Sequence, residues 1–81
     1  MHSMETETPL TLQEIRKSRN LTATQAALLI AHELGRPSYH FSSVLKAEKR
    51  GLQVSRLIKA YAKAYNCKVK EIEDAPVAAS S

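Results

Sequence analysis

Cysteine occurs once in this 81-residue chain, tryptophan not at all, and glycine only twice. A single thiol, Cys67, excludes an internal disulfide and leaves no cysteine pair to share a zinc ion. His32 and His40 lie eight residues apart with no carboxylate or cysteine at ligand spacing, so no metal site and no other cofactor is expected. With 2 Gly and 3 Pro the chain is neither loop-rich nor of low complexity. Apolar runs fall well short of a membrane span, and the acidic, Thr-rich start lacks the pattern of a signal peptide. A lone cysteine and no leader pattern together suggest a reducing, cytoplasmic setting. There is no Ser/His/Asp or Cys/His arrangement, no pair of inward carboxylates and no glycine-rich phosphate loop, and this much chain does not enclose a substrate. The expectation is that the protein is not an enzyme.

What the chain does have is one domain's worth of ordinary globular composition, 43% hydrophobic and 25% charged, with a net charge of +4. The distribution of charge says more than the total. All twelve bases lie between residues 10 and 70, against three acids there, Glu14, Glu33 and Glu48. The middle of the chain is therefore far more basic than the whole, which suits a polyanionic partner.

Periodicity predicts five short helices and no strand, an all-α fold. Residues 1–9 and 75–81 carry no periodic apolar pattern and are expected to be disordered, with the domain between 10 and 74. The first helix opens on Thr11 with Glu14 three later, a capping box, while Leu10 can pack on Ile15. It should stop near Arg19, with Asn20 turning the chain. The second repeats the device with Thr22 and Gln25, presents Ala23, Ala27, Ile30, Ala31 and Leu34 inward, and stops at Gly35.

A third helix is expected from Pro37 or Ser38 to Lys49, ended by Gly51. Its projection puts Phe41, Val44, Leu45 and Glu48 inward, and Tyr39, Ser42, Ser43, Lys46 and Arg50 outward. The fourth, from Val54 or Ser55, turns Val54, Ile58, Tyr61, Ala62 and Tyr65 inward, with the two tyrosine hydroxyls reaching the rim, and Arg56, Lys59 and Lys63 outward. Asn66 ends it, and a last turn carries Val69 and Ile72 back to the core. Cys67 is expected to be buried and inert.

In this order the helices resemble the Cro/C1-type (XRE-like) helix-turn-helix family, over roughly residues 10 to 74. Leu12, Ile15, Arg16, Asn20, Leu21, Thr22 and Ala27 match its first helix, turn and second-helix start. Lys46, Ala47, Glu48 and Gly51 match the end of its recognition helix. Ile58, Ala62 to Cys67, Val69 and Ile72 match its fourth helix and closing turn. The stretch from Ala27 to Glu48 departs from the pattern, being longer than in typical relatives by about seven residues, roughly two helical turns. The resemblance implies a compact lambda-repressor-like bundle. It also implies an ion pair between Arg16 and Glu48, and the projection of helix three independently turns Glu48 inward, where an acid needs a partner. The alternative is that both side chains are solvated at a helix edge.

The function implied is binding of double-stranded DNA, as a small transcriptional repressor or regulator that pairs into a homodimer on a palindromic operator. Such a protein would be associated with the nucleoid when bound. Base contacts would come from Ser42, Ser43 and Lys46, with Tyr39 and Arg36 toward the start of helix three; a merely solvated polar face is the alternative. Phosphate contacts would come from Thr22, Thr24 and Gln25 at the start of helix two and from Lys49 and Arg50. Gln25 is equally explained as the capping partner of Thr22. Lys59 and Lys63 are read as solvated.

Leu28 and Leu29 lie beside or opposite the inward stripe of helix two, either as a dimer or partner surface or beneath the loop before helix three. Two rival functions follow: a protein-binding adaptor on the same scaffold, and a weakly specific architectural or accessory DNA-binding factor of a phage or plasmid.

Overall fold

The computed structural model describes residues 9–77. The segments expected to be disordered lie mainly outside the described residues, which include only Pro9 from the first and Ala75, Pro76 and Val77 from the second. Five helices make up the described fold: α1 (Leu12–Ser18), α2 (Ala23–Leu34), α3 (Phe41–Arg50), α4 (Ser55–Ala64) and α5 (Val69–Glu73). Among the described residues there is no strand, and no helix is long and apolar enough to cross a membrane.

Local signals place the helix starts and stops. The Thr11 hydroxyl accepts from Glu14 N at 3.1 Å while the Glu14 carboxylate accepts from Thr11 N at 2.9 Å. Thr22 and Gln25 repeat the exchange at the same two distances. Each box satisfies two backbone donors that the first helical turn leaves without carbonyls.

At the other ends, Asn20, Gly35 and Asn66 each take a left-handed conformation, with φ of 59°, 69° and 55°. The next residue then donates back into the helix: Leu21 N to Arg16 O, Arg36 N to Ala31 O and Cys67 N to Ala62 O. This is the six-to-one closure that turns a chain sharply out of a helix.

α2 lies at the centre of the bundle and packs on both α3 and α4; α4 also meets α5, and α1 meets α3. Its buried face is Ala26, Ala27, Ile30 and Ala31, mostly small residues that let neighbouring helices approach closely. Leu12 and Ile15 of α1, Val44 and Ala47 of α3, Ala60, Tyr61, Ala62 and Tyr65 around α4, and Ile72 of α5 complete the core. Ala75 packs against this core too. Leu10 stays half exposed and lines, with Ile15, an open groove against Lys68 and Glu71.

Several sequence expectations need correction. α3 begins at Phe41 and not at Pro37 or Ser38, and residues 36–40 link it to the α2 C-cap. Within this linker the Tyr39 ring meets Tyr61 edge-on at 6.3 Å and its hydroxyl lies 3.0 Å from that of Tyr61, which docks the linker on α4.

Secondly, α3 is rotated by roughly half of a 100° residue step from its projection. Val44, Ala47 and Glu48 are buried, whereas Phe41 and Leu45 remain 44% and 37% exposed. A helical side chain leans over the turn before its own Cα. As the first residue of α3, Phe41 has no such turn, and its ring stacks on His40 at 4.6 Å.

Thirdly, the tyrosine hydroxyls do not reach the rim. Tyr61 and Tyr65 are both fully buried, and the Tyr65 hydroxyl has no hydrogen-bond partner. Val54 and Val69, both expected inward, are exposed, Val54 at the α4 N-cap and Val69 at the start of α5.

Candidate nucleic-acid interface

The candidate surface is the exposed side of α3 with the start of α2. On α3, Lys46, Lys49 and Arg50 are all exposed, and the helix's one acid is turned away from them. That acid, Glu48, is buried and bound: Arg16 Nε donates to Glu48 Oε2 at 2.7 Å and Nη2 to Oε1 at 3.4 Å. The third guanidinium nitrogen, Nη1, donates to Leu21 O at 2.9 Å. Arg16 thus ties α3 to the turn between α1 and α2 through one planar fork. The hydrogen bond to Glu48 raises the Arg16 pKa, so the guanidinium stays charged in spite of burial. With its only carboxylate sequestered, every exposed charge on α3 is positive.

The start of α3 is shaped by His40, which the sequence suggested only as a metal candidate to dismiss. Its Nδ1 accepts from Ser42 N at 3.1 Å, which caps the helix. The Ser42 hydroxyl lies 2.8 Å from the same nitrogen, so the two side chains hold each other at the helix start. A polar side chain directly before an apolar residue was the available signal, and histidine is an uncommon cap. Ser42 and Ser43 are half-buried, so they stand lower on the surface than the cations around them.

Tyr39 was expected to face a ligand from the outward side of α3. Its hydrogen bond and edge contact with Tyr61 assign it to the core instead, because a buried phenol needs a partner and Tyr39 supplies it. Arg36, directly after the α2 C-cap, is exposed.

At the start of α2, Thr22, Thr24 and Gln25 are exposed together. Gln25 is the capping partner of Thr22: Oε1 accepts from Thr22 N, and the side-chain NH2 keeps two donors. The N–H groups of Ala23 and Thr24 have no acceptor within the helix, by the geometry of any helix start. Further along α2, Leu28 is 67% exposed and Leu29 is also exposed, so the linker to α3 does not fold over them.

One tether escaped sequence reasoning entirely. Arg19 Nε donates to Tyr65 O at 2.7 Å and Nη1 to Ser18 Oγ at 3.0 Å, joining the end of α1 to the end of α4. No local pattern marks a contact between residues so far apart in the chain. Elsewhere, Arg56, Lys59 and Lys63 border an open groove of about 490 Å3 with Glu33, Leu34 and Cys67, separate from the α3 face. Cys67 is half-buried, and burial pushes its thiol pKa up, which disfavours the reactive thiolate. Among the described residues, no three His, Cys, Asp or Glu side chains are grouped to hold a metal ion. Comparison of the chain with protein-family models, with curated proteins and with solved structures finds no match.

Proposed function

We propose that this protein binds double-stranded DNA sequence-specifically through α2 and α3, in the manner of a Cro/C1-type helix-turn-helix domain, and acts as a small transcriptional repressor or regulator. The observation that carries this reading is the charge on α3. Lys46, Lys49 and Arg50 stand exposed on it while Glu48 is withdrawn into a buried pair with Arg16. A ten-residue helix is about 15 Å long, and a major groove about 12 Å wide admits such a helix.

On this reading Lys46 donates to guanine acceptors, and the Ser42 and Ser43 hydroxyls contact base edges beside it. Arg36 reaches a base edge toward the start of α3. Lys49 and Arg50 take phosphates, and so do the free N–H groups at the start of α2 with Thr22, Thr24 and Gln25 beside them. A single domain reads few base pairs, and pairing of two copies on a palindromic site supplies the remaining specificity. Leu28 and Leu29 are the surface proposed for that pairing. The same leucines favour the second reading, a protein-binding adaptor on this scaffold.

Selection from a random duplex pool at near-physiological salt, followed by sequencing of the retained DNA, tests the proposal. An enriched palindrome supports a dimeric operator-binding regulator. Retention without enrichment would indicate the weakly specific architectural factor, and no retention would leave the adaptor.

A further inference from the structure

Phe41 and Leu45 sit one turn apart on α3, with Lys49 one turn further on, so a short apolar stripe runs into a cation along the exposed side of the helix. Both side chains are large, both are exposed, and neither is needed to fill the core, which Val44 and Ala47 close beneath them. Phe41 is also held in place: its ring stacks on His40 at 4.6 Å with 28° between the planes, and His40 is fixed by its bonds to Ser42. An exposed aromatic ring pinned at a helix start, ahead of cations, is a surface prepared for contact.

We infer that Phe41 and Leu45 read the 5-methyl groups of thymine in the major groove, adding an apolar component to the specificity of α3; the inference rests on the DNA-binding reading above. The thymine methyl is the one apolar group that a base edge presents in the major groove, and side chains such as Phe pack on it. Charge complementarity selects this occupant over a second copy of the chain. Two copies meeting through this stripe would set Lys46, Lys49 and Arg50 of both on one interface, with no exposed acid on α3 to offset the repulsion. Duplex DNA instead meets the same cations with phosphates while its groove floor meets the apolar pair. Residues four apart on a helix are separated by about 6 Å along its axis, close to two base steps of about 3.4 Å each. The two methyl contacts should therefore fall about two steps apart.

The test uses the duplex enriched by selection, resynthesised with uracil in place of thymine at one position at a time, which removes a single methyl group. Expected is a loss of about fourfold in affinity per contacted methyl at one or two positions in each half-site, with other positions unaffected. Phe41→Ala should erase the uracil penalty at one position and Leu45→Ala at the other. Both substitutions are on the surface, so thermal melting should stay near the unmodified protein's. Equal affinity of the full-length protein for thymine and uracil duplexes, with specific binding intact, would overturn the inference while leaving the DNA-binding reading standing. Failure to select any duplex would overturn both.

Discussion

Arg16 grips Glu48 across thirty-two residues of sequence, with the Nε to Oε2 distance at 2.7 Å and both side chains buried. The pair joins the first helix to the end of the third, and Arg16 also holds the Leu21 carbonyl. Removing one partner strands the other's charge away from water, whereas replacing both leaves nothing unpaired. Glu48→Ala should therefore destabilise the fold by about 3–5 kcal/mol in denaturant titration, a large share of the stability of a domain this small. The double variant Arg16→Met/Glu48→Leu should recover most of that loss. If the double variant were as unstable as the single one, unpaired charge would not be the cause.

How far the sequence reached depended on the range of the forces involved. Capping by Thr11 with Glu14, and by Thr22 with Gln25, is settled within four residues, and so are the stops at Asn20, Gly35 and Asn66. Those elements were legible because their causes are local. The linker before α3 was not, because its Tyr39 is held by Tyr61 on another helix. The helical projection puts Phe41 and Leu45 inward with Val44 and Glu48, and a rotation of the helix leaves them exposed. For the candidate interface, the cations Lys46, Lys49 and Arg50 could be read directly. Tyr39 could not, since its role is fixed by a distant hydroxyl.

The tyrosine cluster makes a second prediction, about the two hydroxyls. Tyr61 exchanges a hydrogen bond with Tyr39, and Tyr65, whose ring meets that of Tyr61 edge-on at 5.8 Å, has a buried hydroxyl with no partner. Tyr61→Phe should cost about 1 kcal/mol, the usual net worth of such a bond. Tyr65→Phe should be neutral or stabilising by about 1 kcal/mol, because it deletes a desolvated group that gains nothing in return. Thermal melts of the two variants side by side would decide, and a larger loss for Tyr65→Phe would mean its hydroxyl has a partner after all.

The same residues set an alkaline limit. Burial first, and then the hydrogen bond with Tyr39, push the Tyr61 phenol well above its ordinary value of 10.0; burial and then the Glu48 carboxylate push Tyr65 up likewise. The folded chain therefore holds these two protons more tightly than the unfolded chain does. Their contribution to stability is complete below pH 10 and is lost progressively as pH rises above it, where the unfolded state sheds protons that the folded state keeps. Phenolate absorbance and helical circular dichroism, followed together in an alkaline titration, should show two of the three tyrosines ionising only as the helices melt. Free titration of all three with the helices intact would contradict the burial seen for Tyr61 and Tyr65.

Gly35 and Gly51 offer a contrast between strain alone and strain with a clash. Gly35 has φ 69° and open space where a Cβ would stand, so Gly35→Ala should cost only the left-handed penalty of about 1–2 kcal/mol. Gly51 has φ 83° and ψ 167°, a region kept almost wholly for glycine, and an added Cβ would meet Val77 Cγ1 at 3.0 Å. Gly51→Ala should be the more destabilising of the two in chemical denaturation. Truncation before Val77 should relieve part of the Gly51→Ala cost and none of the Gly35→Ala cost.

The exposed cations of α3 should divide by what they touch. Lys46 lies nearer the middle of the exposed face and is assigned to a base edge, whereas Arg50 ends the helix and is assigned to phosphate. Lys46→Ala should then lower affinity for the selected duplex by about 1–3 kcal/mol and relax the preference at one position. Arg50→Ala should weaken selected and random duplexes about equally and reduce the slope of log affinity against log salt by about one, as one fewer counterion is released. Neither residue takes part in the Arg16–Glu48 pair or the tyrosine cluster, so both variants should melt close to the unmodified protein. Filter binding over a salt series, with selected and random duplexes in parallel, separates the two effects. Should Lys46→Ala behave like Arg50→Ala, with uniform weakening and no change in preference, Lys46 would be a phosphate contact, and base reading by α3 would rest on Ser42, Ser43 and the apolar stripe.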